Sequence, residues 1–302
     1  MILTLLLTVL VLVAASLAAL WIVGERGRLM MHSTPAFLRA AGGWGARLHA
    51  YVYGRWTRQY INVLLNKLPS SGGEGGTWLA QHYHGKVLTH DHAEAIVTLD
   101  RPIAERDLEQ IIPYPHARKL VLDGPPDMAA YECYCRHSRA AHCQPTQLCM
   151  VIGKPFVDFI LEHHPDTARR LTQQEALDLL RSEHERGHLH SAWFKDAMGD
   201  SFYSICNCCK CCCGGIQSMR GGIPMMASSG YVAEIDHEVC GQCEVCVEVC
   251  PFDAITRGED RMVRDWEKCL GCGACEVKCT NQAIRMVRDE RKGIPLDVRT
   301  LV

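Results

Sequence analysis

The alternation of apolar and polar positions divides the chain before composition is considered. Residues Met1 to Val23 carry no charged side chain, and their only hydroxyl-bearing residues are Thr4, Thr8 and Ser16. At a rise of about 1.5 Å per residue, some ~20 apolar residues cross a hydrocarbon core of about 30 Å. Trp21 closes the run, where an interfacial aromatic is expected. A cleaved signal peptide would need a basic stretch ahead of the apolar run, and Ser16-Leu17-Ala18 is only a loose cleavage-site match. The pattern predicts an uncleaved transmembrane anchor over 1–23. From Arg26 to Gly73 it changes: Arg26, Arg28, Arg39, Arg47, Arg55, Arg58 and Lys67 occur with no acid, interleaved with Trp44, Tyr51, Tyr53, Trp56 and Tyr60. Basic residues beside amphipathic aromatics predict an interfacial segment over 24–69, against anionic headgroups or a membrane-protein partner. The alternative is a basic helix packing on the protein's own acidic domain. By the positive-inside rule this flank stays cytoplasmic, with the N-terminus outside. Ser70 to Gly76 reads as a flexible linker, with the boundary drawn at 70–77.

The pattern over 78–228 is mixed. Ala95-Ile96-Val97-Thr98-Leu99 predicts a strand, and Ile103 to Ile112 a short helix stopped by Pro113. Thr172-Gln-Gln-Glu175 is a capping box opening a helix with Ala176, Leu177, Leu179 and Leu180 on its apolar side. That helix would end at Gly187, before a strand over His188 to Phe194. A helix followed by strands hints at a winged-helix-like unit. The expected fold class is α+β: an N-terminal transmembrane helix, a mixed, cysteine-rich middle domain, and a smaller C-terminal module over 229–302.

Composition sharpens this. The chain of 302 residues is 48% hydrophobic, which supports packed domains and excludes a disordered or collagenous chain. Its net charge of −2 supplies no field for nucleic acid, and no basic recognition face is apparent. There are 18 cysteines, none before Cys133, and six fall between Cys206 and Cys213. A chain this long needs no disulfide staples, and adjacent pairs such as Cys208-Cys209 and Cys211-Cys212 are poor disulfide partners. Clustered thiols of this kind read as metal ligands.

Two runs, Cys240-Gly-Gln-Cys243-Glu-Val-Cys246-Val-Glu-Val-Cys250-Pro251 and Cys269-Leu-Gly-Cys272-Gly-Ala-Cys275-Glu-Val-Lys-Cys279, both obey C-x2-C-x2-C-x3-C. Their flanks repeat too: Cys250-Pro-Phe-Asp-Ala-Ile matches Cys279-Thr-Asn-Gln-Ala-Ile. Zinc sites use paired knuckles rather than triplets of this kind. From about Tyr231 to Val287 the chain resembles the bacterial-type ferredoxin family, a pseudo-twofold α+β fold with two 4Fe–4S clusters. The resemblance implies that each fourth cysteine serves the other cluster. One cluster would take Cys240, Cys243, Cys246 and Cys279, the other Cys269, Cys272, Cys275 and Cys250. Thr280 stands where the family has proline. Tyr231 to Thr256 holds six acids (Glu234, Asp236, Glu238, Glu244, Glu248, Asp253) and no Lys or Arg, a candidate docking face for a basic redox partner.

Ten further cysteines, Cys133, Cys135, Cys143, Cys149, Cys206, Cys208, Cys209, Cys211, Cys212 and Cys213, are expected to hold at least one additional iron–sulfur centre; zinc and metal-free thiol chemistry are the alternatives. Arg136 and Lys210 would partly neutralise such a thiolate cluster. This segment resembles a cysteine-rich group of ferredoxin-fused proteins bearing C-x-C-R and C-N-C-C-x-C-C-C. Cys212-Cys213-Gly214 is also similar to the C-C-G signature of heterodisulfide-reductase subunits, whose non-cubane cluster attacks a disulfide. The histidine pairs His82/His84, His90/His92, His163/His164 and His188/His190 carry no haem-attachment motif and are not taken as ligands. Nucleotide-binding and hydrolase motifs are also lacking.

The expected function is a membrane-anchored iron–sulfur electron carrier, single-pass in a bacterial-type inner membrane, with its soluble domains facing the cytoplasm. It would pass single electrons between a soluble donor and a membrane or complex partner. The alternatives are a redox enzyme subunit reducing a disulfide-type substrate, and a redox sensor or metal-handling factor.

Overall fold

The computed structural model describes residues 2–67, 74–105, 107–114 and 119–301. Helix α1 (Ile2–Gly24) is uncharged and has a mean hydropathy of 2.7, and Thr4 to Leu20 are exposed along its length. Its end is tied down. Trp21 stacks on Tyr51 with ring centroids 4.7 Å apart, and the fully buried Glu25 accepts hydrogen bonds from the Met31 N–H and the Thr34 hydroxyl.

Three helices follow, α2 (Thr34–Ala40), α3 (Trp44–Arg55) and α4 (Thr57–Lys67). The aromatics of the expected interfacial segment divide between the core and the surface. Tyr51 and Tyr53 are only 4% and 6% exposed and join Phe37 and Ala50 in the core, while Trp44 and Leu48 stay outside. Tyr51 packs on Trp21 and on Phe159 of the helical side, and Tyr53 meets Tyr83 and Tyr203 of the sheet, so the two leave opposite sides of α3. Of the expected linker, Ser70 to Gly73 lie outside the described residues, and Glu74 opens helix α5 (Glu74–His82).

Strand β1 (Tyr83–Leu88) leads into α6 (His90–Val97), where a strand was expected. Thr89 caps this helix by accepting from the His92 N–H, and Ala93, Ile96 and Val97 recur at helical spacing on the buried side. Where a helix was expected over 103–112 the chain forms strand β2 (Ile103–Glu105), paired antiparallel with β3 (Leu120–Leu122), and then a turn at 109–111. The remaining elements are β4 (Met128–Glu132), α7 (Tyr134–His137), β5 (Gln147–Ile152), α8 (Phe156–His163), β6 (Ala168–Arg170), α9 (Gln173–Glu185), β7 (Leu189–Lys195), β8 (Ser201–Cys208), α10 (Gly214–Arg220) and β9 (Met226–Ala227). Both hydrogen bonds of the capping box at Thr172 and Glu175 form, and Gly187 takes the positive φ that ends the helical stretch.

Instead of a winged helix, the strands build a seven-stranded sheet in the order β6-β4-β5-β8-β7-β1-β9, antiparallel except at β1/β9. Both faces are covered, so every residue of the interior strand β7 is buried. The period of two assigns residues to faces. Ala129, Tyr131, Val151, Leu189 and Trp193 meet the helical N-terminal segment and α8, whereas Met128, Ala130, Ile152, Ala192 and Phe194 meet α6 and α9.

The C-terminal module pairs β10 (Tyr231–Ile235) with β13 (Ile284–Arg288), and β11 (Ile255–Arg257) with β12 (Met262–Arg264), around helices α11 (Val245–Val249) and α12 (Ala274–Val277). Its internal twofold is visible in the backbone. Positive φ recurs at Gln242 and Gly271, Glu244 and Gly273, and Asp253 and Gln282. Gly271 also has no room for a side chain: a Cβ there would stand 2.2 Å from the Tyr231 carbonyl oxygen. The module is docked on the sheet domain. Phe252 and Leu270 enter the core facing α8, and the tail returns Leu296 and Val298, both fully buried, to the α6 side.

Candidate metal centres

Each C-x2-C-x2-C run forms a loop ahead of a short helix, so three thiols converge before the fourth cysteine leads the chain away. Cys240, Cys243 and Cys246 line one cavity together with Cys279, which comes from the second run. Cys269, Cys272 and Cys275 line another with Cys250, from the first. Backbone N–H groups aim at sulfur in a twofold-related way: Ala254 N to Cys250 Sγ and Ala283 N to Cys279 Sγ, both 3.2 Å. Ala233 N adds a contact of 3.4 Å to Cys269 Sγ. Burial, reinforced by the charge of Cys250, pushes the Cys272 thiol up to about 12. Burial pushes Cys275 up as well, and buried thiols of this kind are poor thiolates alone and good ligands for iron, whose charge offsets theirs. The donor sets therefore fit two 4Fe–4S clusters.

The expected acidic docking face is partly neutralised within the chain. Arg285 pairs with Glu234, Arg257 with Glu244, and both Lys210 and Arg220 with Asp253. Asp236, Glu238 and Glu248 remain exposed. The Asp253 pairs join the two parts of the molecule, and Lys210 also donates to the carbonyls of Val247 and Glu248 on α11. The loop of tandem cysteines thus rests on the backbone between Cys246 and Cys250.

The ten remaining cysteines separate into two sets. Strand alternation sends Cys206 and Cys208 to one face of β8 and Asn207 to the other, where Asn207 meets His190 of β7. Cys149 on β5 lies opposite Cys206, and Cys133, at the start of α7, interacts electrostatically with both Cys149 and Cys135. Cys208 shares a face of β8 with Cys206 and accepts a hydrogen bond of 3.1 Å from Cys213. The neighbour sequence Cys135, Cys133, Cys149, Cys206, Cys208, Cys213 is nearly a closed ring, because the Cys213 and Cys135 charges interact. Thiol hydrogen bonds from their neighbours hold Cys133 and Cys208 well below the ordinary thiol range. The hydrogen bonds they donate, together with burial, push Cys135, Cys149 and Cys213 up. The ring lines a cavity of about 550 Å³ that also presents Arg136, Arg139, Trp193 and Arg220.

The second set is Cys143, Cys209, Cys211 and Cys212, whose sulfurs all lie within 4.8 Å of one another. Arg136, 1% exposed, serves both sets. Its guanidinium feels the charges of Cys209, Cys133 and Cys143, and it pairs with the fully buried Glu183 at 3.4 Å. Glu183 in turn holds His188 Nδ1 at 2.7 Å and Arg186 at 2.6 Å.

Several participants carried no signal in the sequence. Glu183 looks like any helix acid, and its partners arrive from other elements. Tyr53, Tyr83 and Tyr203 join hydroxyls behind Cys206, with 2.6 Å between Tyr53 and Tyr203, although the residues are far apart in the chain. The histidines also regroup across the fold. Beyond the sequence-adjacent pairs, His90, His184 and His190 come together, with His90 and His184 stacked at 4.3 Å. That stacking leaves the two rings badly aimed to share an ion.

A pseudo-twofold pair of hairpins, with four cysteines around each of two cavities, defines a two-cluster iron–sulfur protein module. Comparison with known proteins gives the same class: the 4Fe-4S binding domain matches twice, at residues 233–256 and 262–285. The chain belongs to the 4Fe-4S ferredoxin family through this C-terminal module. It is 54% identical over 39 residues to a protein named Ferredoxin 7Fe from Hydrogenibacillus schlegelii, covering 13% of this chain and 50% of that one. It is 38% identical over 58 residues to pyruvate synthase subunit PorD of Methanocaldococcus jannaschii, covering 19% and 67%. It is 42% identical over 50 residues to one component of the Na(+)-translocating ferredoxin:NAD(+) oxidoreductase complex of Acetobacterium woodii, covering 16% and 15%. The chain spans about half the length of the first curated relatives it matches. No solved structure matches it.

Proposed function

We propose that this chain is a membrane-anchored electron-transfer protein. Its C-terminal module holds one 4Fe–4S cluster on Cys240, Cys243, Cys246 and Cys279, and a second on Cys250, Cys269, Cys272 and Cys275. The middle domain holds a further iron–sulfur centre on the six-thiol ring. The observation that carries this reading is the contact of Lys210 with the α11 backbone, which seats the cysteine-rich middle loop directly against the ferredoxin module. Bound iron–sulfur clusters supply one-electron couples. The chain's own residues do the rest: buried thiols exclude water, backbone N–H groups favour the more negative reduced state, and Arg136 offsets thiolate charge.

The uncharged α1 supports anchoring in a bilayer, with the basic segment that follows on the cytoplasmic side of a bacterial-type inner membrane. Its base is locked to the soluble part through Trp21 and Glu25, so the anchor would hold the clusters at a set height above the membrane. A relative named as part of a Na(+)-translocating complex supports a membrane complex as partner. Asp236, Glu238 and Glu248 are the acids that would face a basic redox partner.

Anaerobic purification, membrane fractionation and counts of iron and labile sulfide test the proposal. The full chain is expected in the membrane fraction with clearly more than ~8 iron. A Cys149→Ala, Cys206→Ala variant should fall to about that number and keep the ferredoxin EPR signal. A soluble full chain overturns the anchor; about 8 iron in both proteins overturns the ring centre. A second reading, reduction of a disulfide-type substrate, is favoured by the ring cavity of about 550 Å³ with its arginines. It requires turnover that the same double variant abolishes.

A further inference from the structure

We propose that Cys143, Cys209, Cys211 and Cys212 form a separate site for one mononuclear, tetrahedral metal ion of the zinc class. The inference rests on the proposed function only in assigning the other six middle cysteines to a different centre.

Spacing carries the argument. A tetrahedral ion with metal–sulfur bonds of about 2.3 Å places its thiolates roughly 3.8 Å apart. All four sulfurs here lie within 4.8 Å of one another, with Cys143 to Cys211 at 2.9 Å and Cys211 to Cys212 at 3.5 Å. A cubane spreads its four thiolates over four different irons, with the inorganic core between them. The ferredoxin cysteines provide the internal contrast: among the described residues, no three of those eight draw together this tightly. Nor do any three of the ring thiols. The molecule thus holds open thiol sets suited to clusters and one compact set suited to a single ion.

Ligand number and charge agree. Four thiolates close the coordination shell, the arrangement of a structural rather than a catalytic zinc site. Such a site carries two net negative charges, and Arg136 lies within the field of both Cys209 and Cys143. Its Nε is buried without a hydrogen-bond partner, so a donor stands available beside the thiolates. Cys211 is exposed and Cys143 partly exposed, which leaves a path for the ion to enter. Binding releases the thiol protons to solvent as metal–sulfur bonds form, with no electron transferred.

The consequence is mechanical. Cys143 is separated by 68 positions from Cys211, and the ion would staple its loop to the tandem-cysteine loop. Cys208 and Cys213 of the ring flank that second loop, so a redox-inert staple would hold the ring's geometry through electron transfer.

Elemental analysis of the full chain, expressed with zinc and iron and purified anaerobically, tests this. The expected result is one zinc per chain, lost in Cys143→Ser and Cys211→Ser while iron and labile sulfide stay at the parent values. Cys143→His, which supplies a zinc-competent nitrogen, should retain the zinc and so separates lost ligation from lost folding. Cobalt offered in place of zinc should give thiolate charge-transfer absorption that Cys211→Ser removes. Iron and sulfide falling together by about four in Cys143→Ser would show a cubane and overturn the proposal. Zinc surviving both serine variants, or mononuclear iron in its place, would overturn it too. Iron that ignores Cys149→Ala while zinc responds to Cys143→Ser would sink the ring centre and leave this site standing.

Discussion

Replacing Cys250 with alanine should remove about four irons and four labile sulfides per chain, and the cluster lost is the one facing Cys269, Cys272 and Cys275. The reason is crossed geometry: Cys250 closes the first run in sequence but lines the cavity of the second. Cys279→Ala should do the reverse, emptying the cavity of Cys240, Cys243 and Cys246. The two variants differ in environment, so they can be told apart. The Cys272 and Cys275 thiols are more buried, and a cluster there is better shielded from solvent than one beside the exposed Cys243. EPR of the reduced variants, with iron and sulfide counts, reads the outcome. If Cys250→Ala and Cys279→Ala each spare the cluster facing the other run, and each lose the one on their own, the crossed assignment is wrong.

Glu183→Gln is the substitution with the largest expected effect on stability among residues that are not themselves thiol ligands. Arg136 and Glu183 are 1% and 0% exposed at their side chains, and the pair is 3.4 Å apart. Removing one member of a buried pair costs about 3–5 kcal/mol where the other charge is left alone; the thiolates beside Arg136 offset part of its charge, so the loss here falls below that range. Urea titration with clusters intact measures the loss, and Arg136→Met added to Glu183→Gln should recover part of it. The pH dependence has a definite sign. Burial drives the Glu183 carboxyl up, but the His188 hydrogen bond and the charges of His188, Arg136 and Arg186 outweigh it, so its pKa is lowered on folding. A depressed carboxyl pKa stabilises the fold fully above the unfolded value of about 4.3, and that contribution is lost as pH falls through the folded value. The parent and Glu183→Gln curves should therefore converge in acid and stand apart near neutrality. A constant gap across that window would mean that Glu183 acts by shape rather than charge.

The parts of this molecule legible in its sequence are those built by contacts between near neighbours. The apolar run of α1, the capping box at Thr172 and the two cysteine triplets each encode their geometry within a short stretch of chain. The triplets also disclosed a chemistry, because three thiols at that spacing converge on one loop. Short apolar stretches misled. Ala95 to Leu99 suits a strand or one face of a helix equally, and the Thr89 cap decided for helix. The pattern of aromatics over α3 did not show which would be buried: Tyr51 packs on Trp21 and Phe159 and Tyr53 on Tyr203 of the sheet, while Trp44 stays outside.

The sequence alone determined that thiols would dominate this protein, and that eight of them belong to a repeated module. How the other ten divide was decided by the tertiary structure. Cys143 and Cys211, or Cys149 and Cys206, are neighbours only because β5, β7 and β8 align in register and the chain folds back over their ends. Ligand sets assembled from loops this distant depend on strand order and pleat, which arise from burial across the whole sheet and leave no local spacing to read.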